Sequence, residues 1–513
     1  MSSLPEPVTA GGEDHAVTGV PRPWFAVAVA VLAQTLVLLD NTILNIALDT
    51  LADPVRGLGA SSAELAWAVA SYSLVFAAGG FAGGALADRY GPRRVLIGGL
   101  LVLAGSATVA AFSVNATELI VTRAFMGAGG ALITPATLAV VSRHPPAAAR
   151  TRAIAIWASS GGVAVALGPV AGGLLLSHFH WGAIFLLNLP VAAVCLAGVV
   201  KLVPELLYAG RRVLDPAGLA LSMLGMGSLV YGIIEGGGRP GWTSPLTIVP
   251  VLAGVALLVT FVLVQRGRER PGFDVRLFAA PRFSGGTVAL LLLFFGLAGQ
   301  LFYCAFYLQG VRGLSPLAAG AVMTAAAGGI VTGNQLSPAV CKLLTVRWAT
   351  VAGICVAAAT FGAYLFFGPG TPVAWIVLML LVQGAGIGAV VAPMTAEMMA
   401  ALPAGHTGAG AAINAATRPV GSTLGVAVLG SILAAGYRTA ILPALADLPP
   451  SARDRVLDSA ESARSVAVVL GRPGLAAAAN DAYLHAMSVA AIWTLGLSLA
   501  GVLPVIACFR PRK

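Results

Sequence analysis

Residues 83–96 read GGALADRYGPRRVL. The stretch carries one acid and three arginines, and it lies between two apolar runs, 65–86 and 95–113, that contain no charge. Each run is long enough to cross a hydrocarbon layer of ~30 Å, which takes roughly 20 helical residues. The stretch therefore reads as a tight polar turn at a membrane surface, returning the chain to the layer it has just left. Outward from it the same alternation repeats, and about fourteen spans are read: 24–48, 65–86, 95–113, 117–142, 153–177, 182–203, 215–236, 245–265, 284–308, 315–338, 346–368, 373–401, 407–435 and 485–507. The composition agrees. With 58% apolar and 10% charged residues and a mean hydropathy of +0.90, the chain falls far outside the soluble globular range. The fold class is all-α integral membrane, because a membrane barrel would show alternating ten-residue strands and none are present. The first run is too long for a cleavable leader and opens a polytopic pattern.

Charge placement sets the topology. An even number of spans puts both termini on one side, and about 20 of the 30 lysines and arginines fall on that side. The opposite short loops hold only Arg56, Arg239 and Arg312. Both termini are therefore expected in the cytoplasm of a bacterial cell membrane. The net charge of +10 follows from this bias and gives no reason to expect a nucleic-acid partner. Residues 1–21 read as a disordered tail. The long 436–484 loop is different, since PSARDRVLDSAESARSVAVVL spaces its apolar residues as short amphipathic helices do. The cysteines lack paired spacing, and His178 and His180 lack partner carboxylates, so neither disulfides nor a metal site are expected.

Several motifs resemble one family. In GGALADRYGPRRVL, residues Gly84, Leu86, Asp88, Arg89, Gly91, Arg93 and Arg94 are similar to the loop signature of the major facilitator superfamily, with Pro92 in place of the usual basic residue. Arg123 and Gly127 match that family's fourth-helix pattern. ALGPVAGG, with Gly168, Pro169, Gly172 and Gly173, looks like the signature of its antiporter branches. LAWAVASYSLV, IFLLNLP, FDVRLF, FYLQGVRGLSPLAAG and INAATRPVGSTLGVAVLG resemble the fourteen-span drug:proton antiporter branch, over residues 24–435. Asp49, where the branch often has proline, and HWGAIF, which lacks an arginine, depart from the pattern. The resemblance implies a major facilitator fold of two six-helix bundles plus two inserted helices, 14 transmembrane helices in all. The corresponding division is a cytoplasmic tail at 1–23, an N-terminal bundle at 24–203, the inserted pair and loops at 204–283, a C-terminal bundle at 284–507 and a second tail at 508–513.

An ionisable group at the centre of a bilayer costs at least ~2.5–3.5 kcal/mol, so charges inside spans are functional candidates. Asp40, Arg123, Glu397 and Arg418 qualify. Asp40 lies roughly 12 Å from the outer end of span one and Arg123 roughly 8 Å from the outer end of span four, at 1.5 Å per residue. Their similar depth makes them a pair, and a proton-coupling role is expected, largely on the resemblance. Arg418 sits near the middle of span thirteen, where a carbonyl-bonded structural role and cargo contact stand equal. Glu397 lies close enough to the inner end of span twelve to reach the interface. Asn41, Asn45, Gln300, Tyr303, Tyr307 and Gln309 are further candidates for a substrate cavity, each equally able to make a helix–helix hydrogen bond.

A primary pump would need a phosphate loop, yet Lys201, Lys342 and Lys513 are the only lysines and none follows glycine. No channel filter, H-E-x-x-H or G-x-S-x-G cluster is present, so neither a channel nor an enzyme is expected. The expectation is a monomeric proton-coupled antiporter, without cofactor, that exports amphipathic organic compounds across the bilayer. A dedicated exporter of one metabolite or antibiotic is the alternative.

Overall fold

A computed structural model describes residues 23–143, 145–204, 215–237, 241–268, 271, 273–402, 407–446 and 448–509. Residues 1–22 and 510–513, most of both expected tails, lie outside the described residues, as do the side chains of Asn41 and Asp88. Every regular element among the described residues is helical. In chain order they are α1 (Pro23–Ala52), α2 (Ser62–Tyr90), α3 (Pro92–Ala111), α4 (Ala116–Arg143), α5 (Ala147–His178), α6 (Ala183–Leu186), α7 (Asn188–Leu202), α8 (Pro216–Gly236) and α9 (Pro245–Gly267). There follow α10 (Pro281–Phe306), α11 (Pro316–Gly362), α12 (Val373–Ala400), α13 (Thr407–Ile441), α14 (Pro450–Asp458), α15 (Ala460–Val469), α16 (Pro473–Ala500) and α17 (Val502–Cys508). Eleven helical stretches are long and apolar enough to cross a membrane.

Each segment read as a span falls on a helix, with three differences of boundary. Segment 182–203 is carried by two helices, α6 and α7. Segments 315–338 and 346–368 share α11, which runs on through the expected loop and is broken only at Thr345, with φ 64° and ψ 157°. The helix of the last span, α16, begins at Pro473 and takes in the end of the 436–484 loop, while α13 runs on to Ile441 and takes in its start. The rest of that loop forms α14 and α15, the amphipathic helices read from its spacing.

The turn at 83–96 shows how local chemistry sets the geometry. Gly91 has φ 89°, a left-handed conformation that a residue with a Cβ adopts only at a cost. It ends α2 and starts α3, with Pro92 in the first turn of α3, where its missing N–H is no loss. Arg93 then donates to the Val200 carbonyl at 2.7 Å, tying the start of α3 to the end of α7. Close packing follows from small residues. A Cβ on Gly83 would come within 2.1 Å of the Ala131 carbonyl, and one on Gly127 within 2.4 Å of the Tyr72 carbonyl. Helices α2 and α4 therefore touch backbone to backbone.

Helices α1–α7 pack on one another, and so do α10–α13 with α16. The helix pair α8–α9 stands beside them, with α8 touching both α2 and α13. At its base Asp215 is bonded by the Gly218 N–H, Gln265 and Arg268. Burial works against the charge, but these donors prevail and hold the Asp215 carboxyl below its ordinary value. The tie therefore strengthens the pair above the ordinary carboxylate range and is lost as pH falls through the lowered value.

The face that carries the start of α1 is called proximal below, and the opposite face distal. Among the described residues, the two helix groups share an apolar core only distally. One apolar cluster there joins residues of both groups, such as Ile43, Leu44 and Leu48 with Phe302, Tyr303 and Ala319. Proximally the core is split into one cluster of the first group, around Leu96 and Val140, and another of the second, around Phe283 and Met398. The distal seam is drawn tight by glycine. A Cβ on Gly173 would lie 2.5 Å from the Pro316 carbonyl, and one on Gly320 would lie 2.1 Å from the Pro169 carbonyl. Gly173→Leu should therefore force α5 and α11 apart. Spin labels on the distal ends of α5 and α11 are expected to report a longer distance than in the unsubstituted protein; an unchanged distribution would contradict this account of the seam.

Candidate functional site

Asp40 on α1 is 0% exposed and Arg123 on α4 is 1% exposed, and the two meet at 2.6 Å, Nη1 to Oδ2. The guanidinium is held by more than the acid. Its Nε donates to the Ala68 carbonyl of α2 at 3.2 Å, and its carbon lies 4.4 Å from the centroid of the Tyr72 ring, an attractive cation–π distance. Tyr72 is fixed in turn by donating its hydroxyl to the Val37 carbonyl at 2.9 Å. Glycines make this possible, since Gly127 and Gly130 sit against the Tyr72 backbone and ring. The second carboxylate oxygen of Asp40 accepts from Asn188 Nδ2 at 2.9 Å. Four helices, α1, α2, α4 and α7, thus converge on one buried ion pair.

Such a pair is costly to form and more costly to break. Desolvating two charges offsets most of their attraction, whereas removing one partner leaves the other buried without compensation. Chemically, the arrangement can carry one exchangeable proton. The carboxylate is bound tightly while ionised, and its neutralisation frees a guanidinium that still has the α2 carbonyl and an aromatic face.

The other expected site residues are not gathered here. Arg418 on α13 is half-buried, with its guanidinium carbon 5.4 Å from the Phe294 ring centroid. Its buried Nε has no hydrogen-bond partner among the described residues. Glu397 lies at the proximal end of α12 and pairs with Arg282 at 3.3 Å. Asn45 bonds its own helix, Nδ2 to the Thr42 carbonyl at 3.5 Å. Gln300 belongs to the interior of the second helix group, where it bonds Tyr364 and accepts from Gln383 at 3.0 Å. Tyr303 and Tyr307 are likewise fully buried; Tyr307 donates to the Gly368 carbonyl at 2.9 Å. Gln300 thus lies within the second group, whereas Tyr303 and Tyr307 belong to the distal apolar cluster that both groups share. Gln309 crosses the distal seam and donates to the Ile46 carbonyl at 2.9 Å.

The loop and helix-five motifs have structural counterparts. Gly84 has no close neighbour, and it is the adjacent Gly83 that admits α4. Arg89 is exposed beside the Tyr90 ring. Gly168 and Gly172 let α1 lie against α5, where a Cβ would meet Thr42 and Ile43 at 2.0 and 2.8 Å. Gly173 and Pro169 face α11. Sequence reasoning gave no role to Asn188, although it stands inside IFLLNLP; a buried amide in an apolar run was the available signal. Among the described residues no group of three or more His, Cys, Asp or Glu could hold a metal.

Two groups of membrane-length helices that share one apolar core at one face and keep separate cores at the other are arranged as in a membrane transporter. Residues 30–211 match the Major Facilitator Superfamily. The chain is 34% identical over 465 residues to the multidrug efflux pump LfrA of Mycolicibacterium smegmatis, covering 86% of this chain and 91% of that protein. It is 32% identical over 491 residues to the methyl viologen resistance protein SmvA of Salmonella typhimurium, covering 93% and 95%. Its fold is similar to that of a bacterial homologue of the human lysosomal transporter Spinster, with a TM-score of 0.68 at 15% identity, covering 96% and 100%. The chain belongs to the major facilitator superfamily and is one of its drug-efflux transporters.

Arg123→Leu should leave the Asp40 carboxylate buried and uncompensated, lowering stability by about 3–5 kcal/mol. The check is thermal unfolding in detergent, with the Asp40→Asn, Arg123→Leu double variant recovering part of the loss. A single variant as stable as the unsubstituted protein would contradict the role given to the pair.

Proposed function

We propose that this transporter is a proton-coupled antiporter, with both termini in the cytoplasm, that exports amphipathic organic compounds by alternating access. The observation that carries this reading is the fully buried Asp40–Arg123 pair at 2.6 Å. An exchangeable proton at that carboxylate gives the first helix group two electrostatic states, and a proton gradient can drive the change between them. On this reading residues 24–203 and 284–507 are the two moving bodies, with the 204–283 segment inserted between them. The proximal face is the cytoplasmic one, so the described conformation opens inward. Asp40 would take up a proton from outside as cargo leaves, and give it up to the cytoplasm as new cargo binds.

Asp40→Asn is expected to abolish transport driven by a pH gradient in proteoliposomes. Arg123→Ala should lower the rate and also shift the pH optimum, because the ion pair no longer opposes protonation. Full gradient-driven activity in the Asp40 variant would sink the reading.

Arg418 is the cargo-contact candidate. Of the four charges inside the spans it alone has no ion pair among the described residues. Arg418→Ala should change the relative rates for cationic, neutral and acidic probes while leaving the pH optimum in place. A susceptibility profile of a pump-deficient strain separates breadth from dedication: shifts across several drug classes fit a multidrug exporter, and a shift confined to one compound fits the dedicated alternative.

A further inference from the structure

We propose that Asn188 is a positioning residue of the proton switch: its amide serves Asp40 as donor when the acid is ionised and as acceptor when it is protonated. The inference rests on the reading of Asp40 as the proton site. It starts from an orphan. Asn188 is 1% exposed, and its Nδ2 donates to Asp40 Oδ1 at 2.9 Å, yet its own Oδ1 is buried with no hydrogen-bond partner. A buried amide oxygen without a partner is uncommon and costs free energy. Here the unused acceptor belongs to the same amide that bonds the one carboxylate expected to gain a proton.

The step balances without any further group. A proton adds to Asp40 Oδ1, the oxygen not engaged by Arg123, and the acid becomes neutral. The Asn188 amide then turns by about half a revolution around its terminal bond, a soft, roughly two-fold torsion. Its Oδ1 now accepts the new O–H, and its Nδ2 moves to the place the oxygen has left. One end of the amide is satisfied in each protonation state, so neither state strands Asp40. Arg123, released from a full negative charge, keeps the Ala68 carbonyl and the Tyr72 ring. A side chain able only to donate, such as lysine, would resist protonation; one able only to accept would resist ionisation.

Few other groups face this carboxylate. Among the described residues, Arg123 from α4 and Tyr72 from α2 are the ionisable ones. Arg464 and Glu461 of α15 lie at the distal end of α1, where Arg464 reaches Asp49 at 3.5 Å. The position of Asn188 also suits the task. It opens α7 directly after the short α6, and α7 packs on both α1 and α3. The amide is therefore carried by an element fixed within the first helix group.

The test uses the full chain in proteoliposomes, with ethidium as probe and the pH dependence of gradient-driven exchange as readout. Asn188→Leu keeps the volume and removes both functions. Loss of the donor to the ionised acid favours protonation, so the midpoint of the pH profile should move upward by about one pH unit. Asn188→Thr, whose hydroxyl can donate or accept, should restore the midpoint to within half of that shift. Ethidium counterflow at equal pH on both sides, which needs alternation without net proton movement, reports whether each variant still folds and alternates. Should Asn188→Leu fail to accumulate, Asn188→Val carries the same test, because it also removes donor and acceptor without adding a charge. Asp40→Asn is run in parallel. If it keeps gradient-driven transport, the proton reading of Asp40 falls, and the Asn188 proposal with it. If Asp40→Asn is inactive while the Asn188 variants keep the unsubstituted midpoint, Asn188 is a packing residue and this proposal alone is overturned.

Discussion

A carboxylate without exposed surface, inside a bundle made to sit in hydrocarbon, stays ionised only while a cation is held against it. Asp40 and Arg123 meet that condition, and the first helix group is organised around them. The guanidinium is fixed by a backbone carbonyl and an aromatic ring of α2, and the acid is bonded by the first residue of α7. Four helices are thus positioned by one pair of charges. Among the described residues the second group has no counterpart. Its polar interior is the neutral chain Tyr364, Gln300 and Gln383, and its ion pair, Arg282 with Glu397, lies at the proximal end and is partly exposed. The electrostatic asymmetry divides the labour. On the proposed reading, a change of protonation acts on the first group and the second follows through the seam they share.

That seam is built from contacts that are weak one by one. Backbones meet at glycines along α5 and α11, and Gln309 bonds a carbonyl across the gap. Ser62 bonds the Asp458 carbonyl at 3.3 Å, and Arg464 spans from the α14–α15 cap to Asp49 at 3.5 Å. A partly exposed ion pair of this kind contributes about 0–1 kcal/mol. No single contact is strong enough to lock the distal face, which fits a seam that opens and re-forms under the proposed alternating access.

Much of this was legible in the sequence, because charge is scarce in it. In spans of nearly uniform hydropathy a lone Asp and a lone Arg stand out, and a rise of 1.5 Å per residue sufficed to place Asp40 and Arg123 at one depth. The helical character of the cap was equally readable, since its charges and apolar residues alternate with helical period. What could not be read was direction. A span that is apolar on every side gives no sign of which face meets cargo, which meets lipid and which meets a sister helix. Gln300, Tyr303 and Tyr307 were cavity candidates for that reason, and they are buried among α10, α12, α16 and the end of α11. Asn188 escaped notice for the same reason: an uncharged amide in a span resembles any interhelical hydrogen bond until its partner is known. Contacts such as Arg464 with Asp49 join residues 415 positions apart, and no local pattern announces them.

The inserted pair α8–α9 has a further consequence. Two seams run between the helix groups, α2 with α13 and α5 with α11. Helix α8 lies over the first, with Tyr231 beside Trp67 of α2 and the Ile233 carbonyl accepting from Ser431 of α13, while α9 turns an almost wholly apolar outer face away from it. The second seam is made by its own two helices. To a molecule dissolved in the bilayer, the protein is therefore not symmetric about its long axis. Among the described residues one flank is panelled by α8 and α9 while the α5–α11 flank is formed by its own two helices, so the two sides offer different surfaces to the lipid.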